Sequence, residues 1–303
     1  MRGGDGDVLR VESTTGHRAA HDRPGHVPRP DESDLHADDP VTTALGAGMI
    51  VPMSTATKRA LVTGASTGIG AATVRRLRRE GWDVIATARR ADRLAALAEE
   101  TGCTTVTADL TDETDVADLA EHIRSTGPLH ALVNNAGGAL GTDPVEQGDI
   151  AEWRRMYEIN VISTLRLTQA LLPLLRADGG GDVLVLTSTA AHESYPGGGG
   201  YTAAKHAERM IPDTLRLELV GEPVRILEVA PGMVKTEEFS LKRLHGDADA
   251  AAKVYAGVAE PLVADDVADV IAFALTRPAH VNLDRIIMRP RAQASSTVVH
   301  REG

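Results

Sequence analysis

The chain has 303 residues, 42% hydrophobic and 25% charged, which allows one large domain or two small ones with a sizeable core. A net charge of −11 argues against nucleic acid as a partner, and an aromatic content of 3% leaves few rings to stack on bases or to anchor at a membrane interface. Cys103 is the single cysteine, so an internal disulfide framework is excluded and a reducing compartment is expected. No apolar run approaches the ~20 residues of a membrane-spanning helix, and the acidic N-terminus lacks the apolar segment of a secretory signal. These exclusions leave a cytoplasmic protein.

Residues 1–52 differ in composition from the rest of the chain. They carry 5 basic and 9 acidic side chains, 12 Gly plus Pro and no aromatic residue. RGGDGD, DRPGHVPRP and DESDLHADDP are turn and solvated-coil sequences without sustained periodicity. Such a stretch buries too little apolar surface to offset its ordering entropy. Residues 1–53 are therefore read as a disordered extension, or as sequence upstream of a natural start at Met49 or Met53. A regulatory arm or a metal site at His17 and His21 is the disfavoured reading.

From Lys58 onward short aliphatic runs alternate with helical spacing. Strands are expected at residues 59–63, 83–88, 104–108, 130–134, 182–187, 224–229 and 283–288. Helices are expected at 69–80, 91–100, 113–125, 150–176, 201–220 and 265–276. Apolar, unalternating strands separated by helices imply a parallel sheet covered on both faces. The fold expected for residues 54–303 is a single doubly wound α/β domain of Rossmann type, with a mostly seven-stranded parallel sheet.

The first strand runs directly into Gly64-Ala65-Ser66-Thr67-Gly68-Ile69-Gly70 and then a helix. Glycines there let the backbone turn tightly and approach a pyrophosphate, which the free N–H groups of the helix N-terminus then meet. The second strand ends at Ala88, where an NAD site usually places an acid, and Arg89 and Arg90 come next. A neutral residue and two guanidinium groups suit a 2′-phosphate, so NADP(H) is preferred over NAD(H). Further along, Tyr201 and Lys205 are four residues apart and share one helix face. An adjacent ammonium favours a phenolate and so makes a tyrosine a usable general acid or base. Ser188, at the carboxyl edge of the fifth strand, is placed to hold a substrate oxygen beside Tyr201.

Taken together, these motifs resemble the short-chain dehydrogenase/reductase family in its common ~250-residue form. TGASTGIG at 63–70 matches the family's cofactor turn, Asn134-Asn135-Ala136-Gly137 its fourth-strand motif, and Asn160 in YEINV its active-site asparagine. Ser188 and Tyr201-Thr202-Ala203-Ala204-Lys205 match the remaining catalytic positions. Pro231-Gly232, with Val234 and Thr236, falls where the family meets the nicotinamide side of the cofactor, and Asp109 with Leu110 where it meets the adenine. The resemblance implies that Tyr201 exchanges the proton, Lys205 lowers its pKa and binds the nicotinamide ribose, Ser188 orients the substrate oxygen, and Asn160 supports a proton-relay water. It implies no metal, and His122, His130, His192, His206, His245 and His280 are scattered along the sequence. A homodimer or homotetramer through the helices near 150–176 and 201–220 is also implied.

Substrate choice is expected in loops at 138–143 and 189–200 and in a partly helical flap at 233–260. A carboxylate clamp there would draw on His192, Tyr195, Lys235, Lys242 and Arg243. Residues 280–293 resemble the ending of bacterial 3-hydroxy acid and serine dehydrogenases, which suggests a small polar hydroxy or oxo compound. An NAD-dependent enzyme of the same family, or a catalytically silent nucleotide sensor on the same fold, remains as an alternative. Cys103 is expected to be an inert thiol in or near the core.

Overall fold

In the computed structural model, which describes residues 57–303, β-strands alternate with helices that cross back over the sheet, except that the sixth strand leads into the seventh and no helix follows the last. The strands are β1 (Arg59–Thr63), β2 (Asp83–Ala88), β3 (Thr104–Thr107), β4 (Ala131–Asn134), β5 (Gly181–Leu186), β6 (Val224–Pro231), β7 (Val234–Lys235), β8 (Leu262–Val263) and β9 (Arg285–Met288). The helices are α1 (Gly68–Arg79), α2 (Ala91–Thr101), α3 (Glu113–Thr126), α4 (Ile150–Tyr157), α5 (Ser163–Arg176), α6 (Gly199–Glu218), α7 (Phe239–Arg243), α8 (Ala248–Val254) and α9 (Ala264–Leu275). Seven strands form one parallel sheet in the order β3-β2-β1-β4-β5-β6-β9, while β7 and β8 pair separately. The extension at residues 1–53 lies outside the described residues.

Burial explains the uninterrupted apolar strands. All eight residues of β6 are buried, and so are all but the first of β5, whereas the edge strand β3 has no buried residue. Val74, Leu77, Val267 and Ile271 of α1 and α9 fill one face of the sheet. Val116, Leu119 and Ile123 of α3, with Leu167, Leu171 and Leu175 of α5, fill the other. Cys103 is buried within the first of these clusters. Strands β5 and β6 also carry an ion pair, in which Arg225 grips Asp182 through Nε–Oδ1 at 2.6 Å and Nη2–Oδ2 at 2.7 Å.

The expected helix at 150–176 is two helices joined by one π turn at Glu158–Ile162. Asn160 sits in that turn, and its amide donates to Gly138 O (2.9 Å) and Met156 O (2.7 Å) while its Oδ1 accepts from Gly138 N. Widening the helix by one residue turns this side chain inward, a common use of π turns. The flap contains α7 and α8, and the C-terminal residues fold back onto it, with Glu302 N bonded to Gly257 O. Among the described residues no helix is long and apolar enough to cross a membrane.

Candidate active site

The strand order reverses between β1 and β4, so the crossovers from these strands leave in opposite directions and open a crevice at their carboxyl ends. The crevice is a cavity of about 720 Å³. Its floor is fixed by Thr63, whose hydroxyl accepts from Asn135 N (2.9 Å) and Ala136 N (2.8 Å). Asn135 returns the tie by donating to Thr63 O at 2.7 Å. The glycine turn is closely packed against this tie. A Cβ on Gly64, whose φ is +63°, would lie 2.8 Å from Asn135 Nδ2, and one on Gly70 would lie 2.4 Å from Gly64 O. Thr67 precedes α1 without a side-chain cap, so the first N–H groups of that helix are left for an anion. The bare backbone, the uncapped helix and the neighbouring arginines fit the phosphates of a dinucleotide.

Gly64, Thr67, Gly68, Ile69, Arg89, Asn135, Ala136, Gly137, Pro231, Gly232, Val234 and Thr236 all line this cavity, as do Ser188, Tyr201 and Lys205. Ser66, Gly70, Arg90, Asp109, Leu110 and Asn160 stand outside its lining. Leu110 packs into the second core cluster, and Gly70 and Asn160 are buried supports. Arg89 is exposed and lies 3.8 Å from Asp109. Against burial, the N–H and hydroxyl of Thr111 and the nearby Arg89 hold the Asp109 carboxyl below its ordinary value. Arg90 is engaged: Nη2 donates to Ser66 Oγ at 2.9 Å and Nη1 contacts Glu238 Oε1 of the flap at 2.6 Å. That hydrogen bond, backed by Lys242 against burial, holds the Glu238 carboxyl at about 2. A second flap acid, Glu237, contacts Arg93 at 3.2 Å and accepts from the Thr67 hydroxyl at 3.3 Å.

The catalytic candidates converge on the opposite wall. Ser188 caps a short 3-10 turn (Thr189–Ala191), accepting from Ala190 N at 3.1 Å and donating to Pro231 O at 3.4 Å. Tyr201 lies in the first turn of α6, after a run of glycines. A Cβ on Gly200 would lie 2.4 Å from Met156 Cε, so the glycine lets α6 approach α4. The Tyr201 ring packs edge-on to Phe239 at 5.8 Å, and the Arg243 guanidinium stands 5.7 Å from its centre. Lys205 Nζ donates to Leu186 O (3.2 Å) and to Glu208 Oε2 (2.6 Å). A Cβ on Gly137 would approach Asn160 Oδ1 to 2.5 Å and Lys205 Nζ to 3.5 Å, so only glycine leaves that corner open.

Lys205 pulls the Tyr201 pKa down as expected, but burial outweighs it. Burial raises the Tyr201 pKa above its ordinary value, although Lys205 and the Ser188 hydroxyl oppose it. Burial also works to lower the pKa of the Lys205 ammonium, but the carboxylate of Glu208 outweighs it and leaves the group raised. Glu208 is a buried acid beside the site that sequence reasoning missed, because lysine and glutamate three apart on a helix read as an exposed pair.

The anion candidates divide. His192 is turned to Glu228 (3.1 Å), Lys242 is paired with Glu238 (2.5 Å), and Lys235 lies outside the cavity lining. Arg243 remains. It donates to Gly141 O, Tyr195 Oη and Gly197 O, all neutral acceptors, and has no carboxylate partner among the described residues. Tyr255, Gln293 and Ser296 complete this end of the cavity. Gln293 and Ser296 come from a C-terminal segment without periodicity, so sequence reasoning passed over them. Among the described residues no group of three or more His, Cys, Asp or Glu is arranged to hold a metal ion.

Comparison with known proteins agrees with this architecture. Residues 58–245 match the family model described as short chain dehydrogenase. The chain is 54% identical over 238 residues to an uncharacterized oxidoreductase of Mycobacterium tuberculosis strain H37Rv, covering 78% of this chain and 93% of that protein. It is 40% identical over 247 residues to the serine 3-dehydrogenase of Agrobacterium fabrum, covering 80% and 98%. A closed-form structure of serine dehydrogenase complexed with NADP+ superposes with a TM-score of 0.74 at 34% identity, covering 80% of this chain and all of that one.

Proposed function

The chain belongs to the short-chain dehydrogenase family, and from that premise we propose that it is an NADP(H)-dependent oxidoreductase interconverting a secondary alcohol and a carbonyl on a small anionic substrate. The observation that carries this reading is the meeting of Ser188, Tyr201 and Lys205 on one wall of a cavity whose other wall is the glycine turn. The turn from Gly64 to Gly70 would hold the pyrophosphate, with Asn135, Ala136 and Gly137 beneath it. Pro231, Gly232, Val234 and Thr236 would flank the nicotinamide, and Asp109 and Leu110 the adenine. Arg89 and Arg90, with Ser66, would take the 2′-phosphate. The cofactor, when bound, gives or accepts the hydride.

The chain's own residues manage the proton and the orientation. Tyr201 Oη donates a proton to the carbonyl oxygen during reduction and accepts one from the alcohol during oxidation. The Ser188 hydroxyl holds that oxygen, and the Lys205 ammonium faces both Tyr201 and the cofactor side. Asn160 fixes Gly138 and the π turn, which keeps the corner beside Lys205 open for a relay water. An NAD-dependent enzyme is the second reading: Arg90 is already held by Glu238, so a phosphate must compete for it.

Arg243 supplies the charge that selects the substrate. A guanidinium beside the Tyr201 ring, bonded only to neutral oxygens, favours a carboxylate attached near the reacting carbon. The similarity to serine 3-dehydrogenase supports the same class, small hydroxy acids and their oxo forms. The reading places the enzyme in the cytoplasm as a homodimer or homotetramer, and light scattering would test the assembly. Its main test follows NADPH absorbance with a panel of hydroxy acids and the matching uncharged alcohols. Turnover of the acids, with a KM raised at least about tenfold by Arg243→Met, is the expected result. Equal turnover of charged and uncharged members would overturn the anionic assignment.

A further inference from the structure

The buried face of α6 carries an acid with no part in the reaction just described. Glu208 is 0% exposed and Lys205 is 4% exposed, with 2.6 Å between Oε2 and Nζ. The other carboxylate oxygen of Glu208 faces the Thr164 hydroxyl of α5 at 3.5 Å. From the sheet, Glu228 of β6 is equally buried but has partners of its own: Thr187 Oγ1 (2.6 Å), His192 Nε2 (3.1 Å) and Arg285 Nε (2.6 Å). Among the described residues Lys205 is therefore the only cation paired with Glu208.

A charge in a buried site is poorly screened by water and is felt strongly by its neighbours. An unpaired ammonium beside Tyr201 would thus pull its proton off well below the ordinary tyrosine range. An ammonium with a carboxylate 2.6 Å away acts on the ring partly as a dipole, and part of that pull is cancelled. We propose that Glu208 is a positioning residue: it anchors the Lys205 ammonium and offsets part of its charge, so that Tyr201 holds its proton more firmly, in the form that donates to a carbonyl. The inference rests on the reading of Tyr201 as the acid/base.

The groups facing Tyr201 pull in opposite directions. Burial raises Tyr201, Lys205 opposes it, and Glu208 adds to the rise. Tyr195 also adds to the rise, the Ser188 hydroxyl opposes it, and the Arg243 guanidinium stands 5.7 Å from the ring centre. Burial also pushes Glu208 itself up to about 7, against the opposing pull of Lys205, and Glu228 adds a further push. Above that pH the carboxylate is ionised and offsets the Lys205 charge, whereas below it Glu208 takes up a proton and that charge stands uncovered.

The test is an ultraviolet titration of tyrosine in the cofactor-free protein, with Tyr201→Phe subtracted to isolate one phenol. In Glu208→Gln the Tyr201 phenolate is expected to appear at least about one pH unit lower than in the wild type. The acid limb of kcat for alcohol oxidation is expected to move with it, whereas a merely structural role would lower the rate without moving the limb. Glu208→Asp, which keeps the charge, is expected to titrate closer to the wild type than to Glu208→Gln. An unchanged onset in folded Glu208→Gln overturns the proposal, as does a Glu208→Asp protein that behaves like it. Should the single variant fail to fold, Lys205→Gln/Glu208→Gln removes both charges together. An onset less than about one unit above that of the wild type then supports the offset, and a rise of about one unit or more contradicts it. The titration needs no turnover, so its failure is distinct from the failure of Tyr201 as a catalyst, which Tyr201→Phe kinetics report.

Discussion

Replacing Glu238 by glutamine should tighten NADP+ binding and leave NAD+ binding alone. Glu238 lies on the flap with its side chain 13% exposed, and its Oε1 sits 2.6 Å from Arg90 Nη1, where a 2′-phosphate would have to bind. Moving a carboxyl from 4.5 to about 2 corresponds to roughly 3 kcal/mol of preference for its ionised form, which bounds what the flap contact is worth. Lys242 shares that carboxylate, and the Arg90 side chain is 35% exposed, so solvent screening reduces the Arg90 share to about 1 kcal/mol. That share must be given up when a phosphate displaces the carboxylate. Its removal in Glu238→Gln should strengthen NADP+ binding about fivefold. Isothermal titration of the cofactor-free protein with each nucleotide reads the effect, and NAD+ is the internal control because it lacks the phosphate. Equal changes for the two nucleotides, or none for NADP+, would refute the idea that Arg90 exchanges one anion for another.

Other substitutions probe the scaffold. Gly70→Ala places a methyl 2.4 Å from a backbone carbonyl, which should cost about 1–3 kcal/mol and lower Tm by several degrees, and an unchanged melting curve would contradict the close packing of the turn. Asp182→Ala leaves the buried Arg225 charge uncovered and should cost about 3–5 kcal/mol in urea unfolding, while Asp182→Leu/Arg225→Met should cost much less. A loss in the single variant no larger than in the double would count against a charge penalty. The Glu238 contact also predicts a pH dependence. A carboxyl whose folded pKa is depressed from 4.5 to about 2 adds stability that is fully present above 4.5 and lost as pH falls toward 2. The wild type should therefore exceed Glu238→Gln in denaturant midpoint at pH 6, and the gap should narrow by pH 3. A gap that is constant with pH would argue against the ion pair.

Much of this architecture is legible in the sequence, because a buried parallel sheet imposes unalternating apolar strands. The strands at residues 59–63 and 83–88 have their expected limits for this reason. The π turn is not legible: Glu158–Ile162 keeps a helical pattern on either side, and only the bonds from Asn160 to Gly138 and Met156 reveal the extra residue. The glycine turn, Ser188, Tyr201 and Lys205 announce themselves by motif, since backbone approach and acid/base chemistry restrict residue type. What they touch is not written locally. The contact between Arg90 and Glu238 spans 148 residues, and Gln293 reaches the site from 60 residues beyond Met233. The charge state of Tyr201 escapes the sequence for the same reason: helix spacing shows Lys205 one turn away, but not that Glu208 is buried with it.

The central claim is that Tyr201 moves the proton. It is tested most directly by comparing Tyr201→Phe with the wild type in single-turnover reduction of an accepted oxo acid, with NADP+ affinity measured on the same preparations. The account predicts that the rate of the chemical step falls by about 10²–10⁴-fold while NADP+ binding stays within a factor of about three. A variant that binds NADP+ normally and reduces the substrate at the wild-type rate would contradict it.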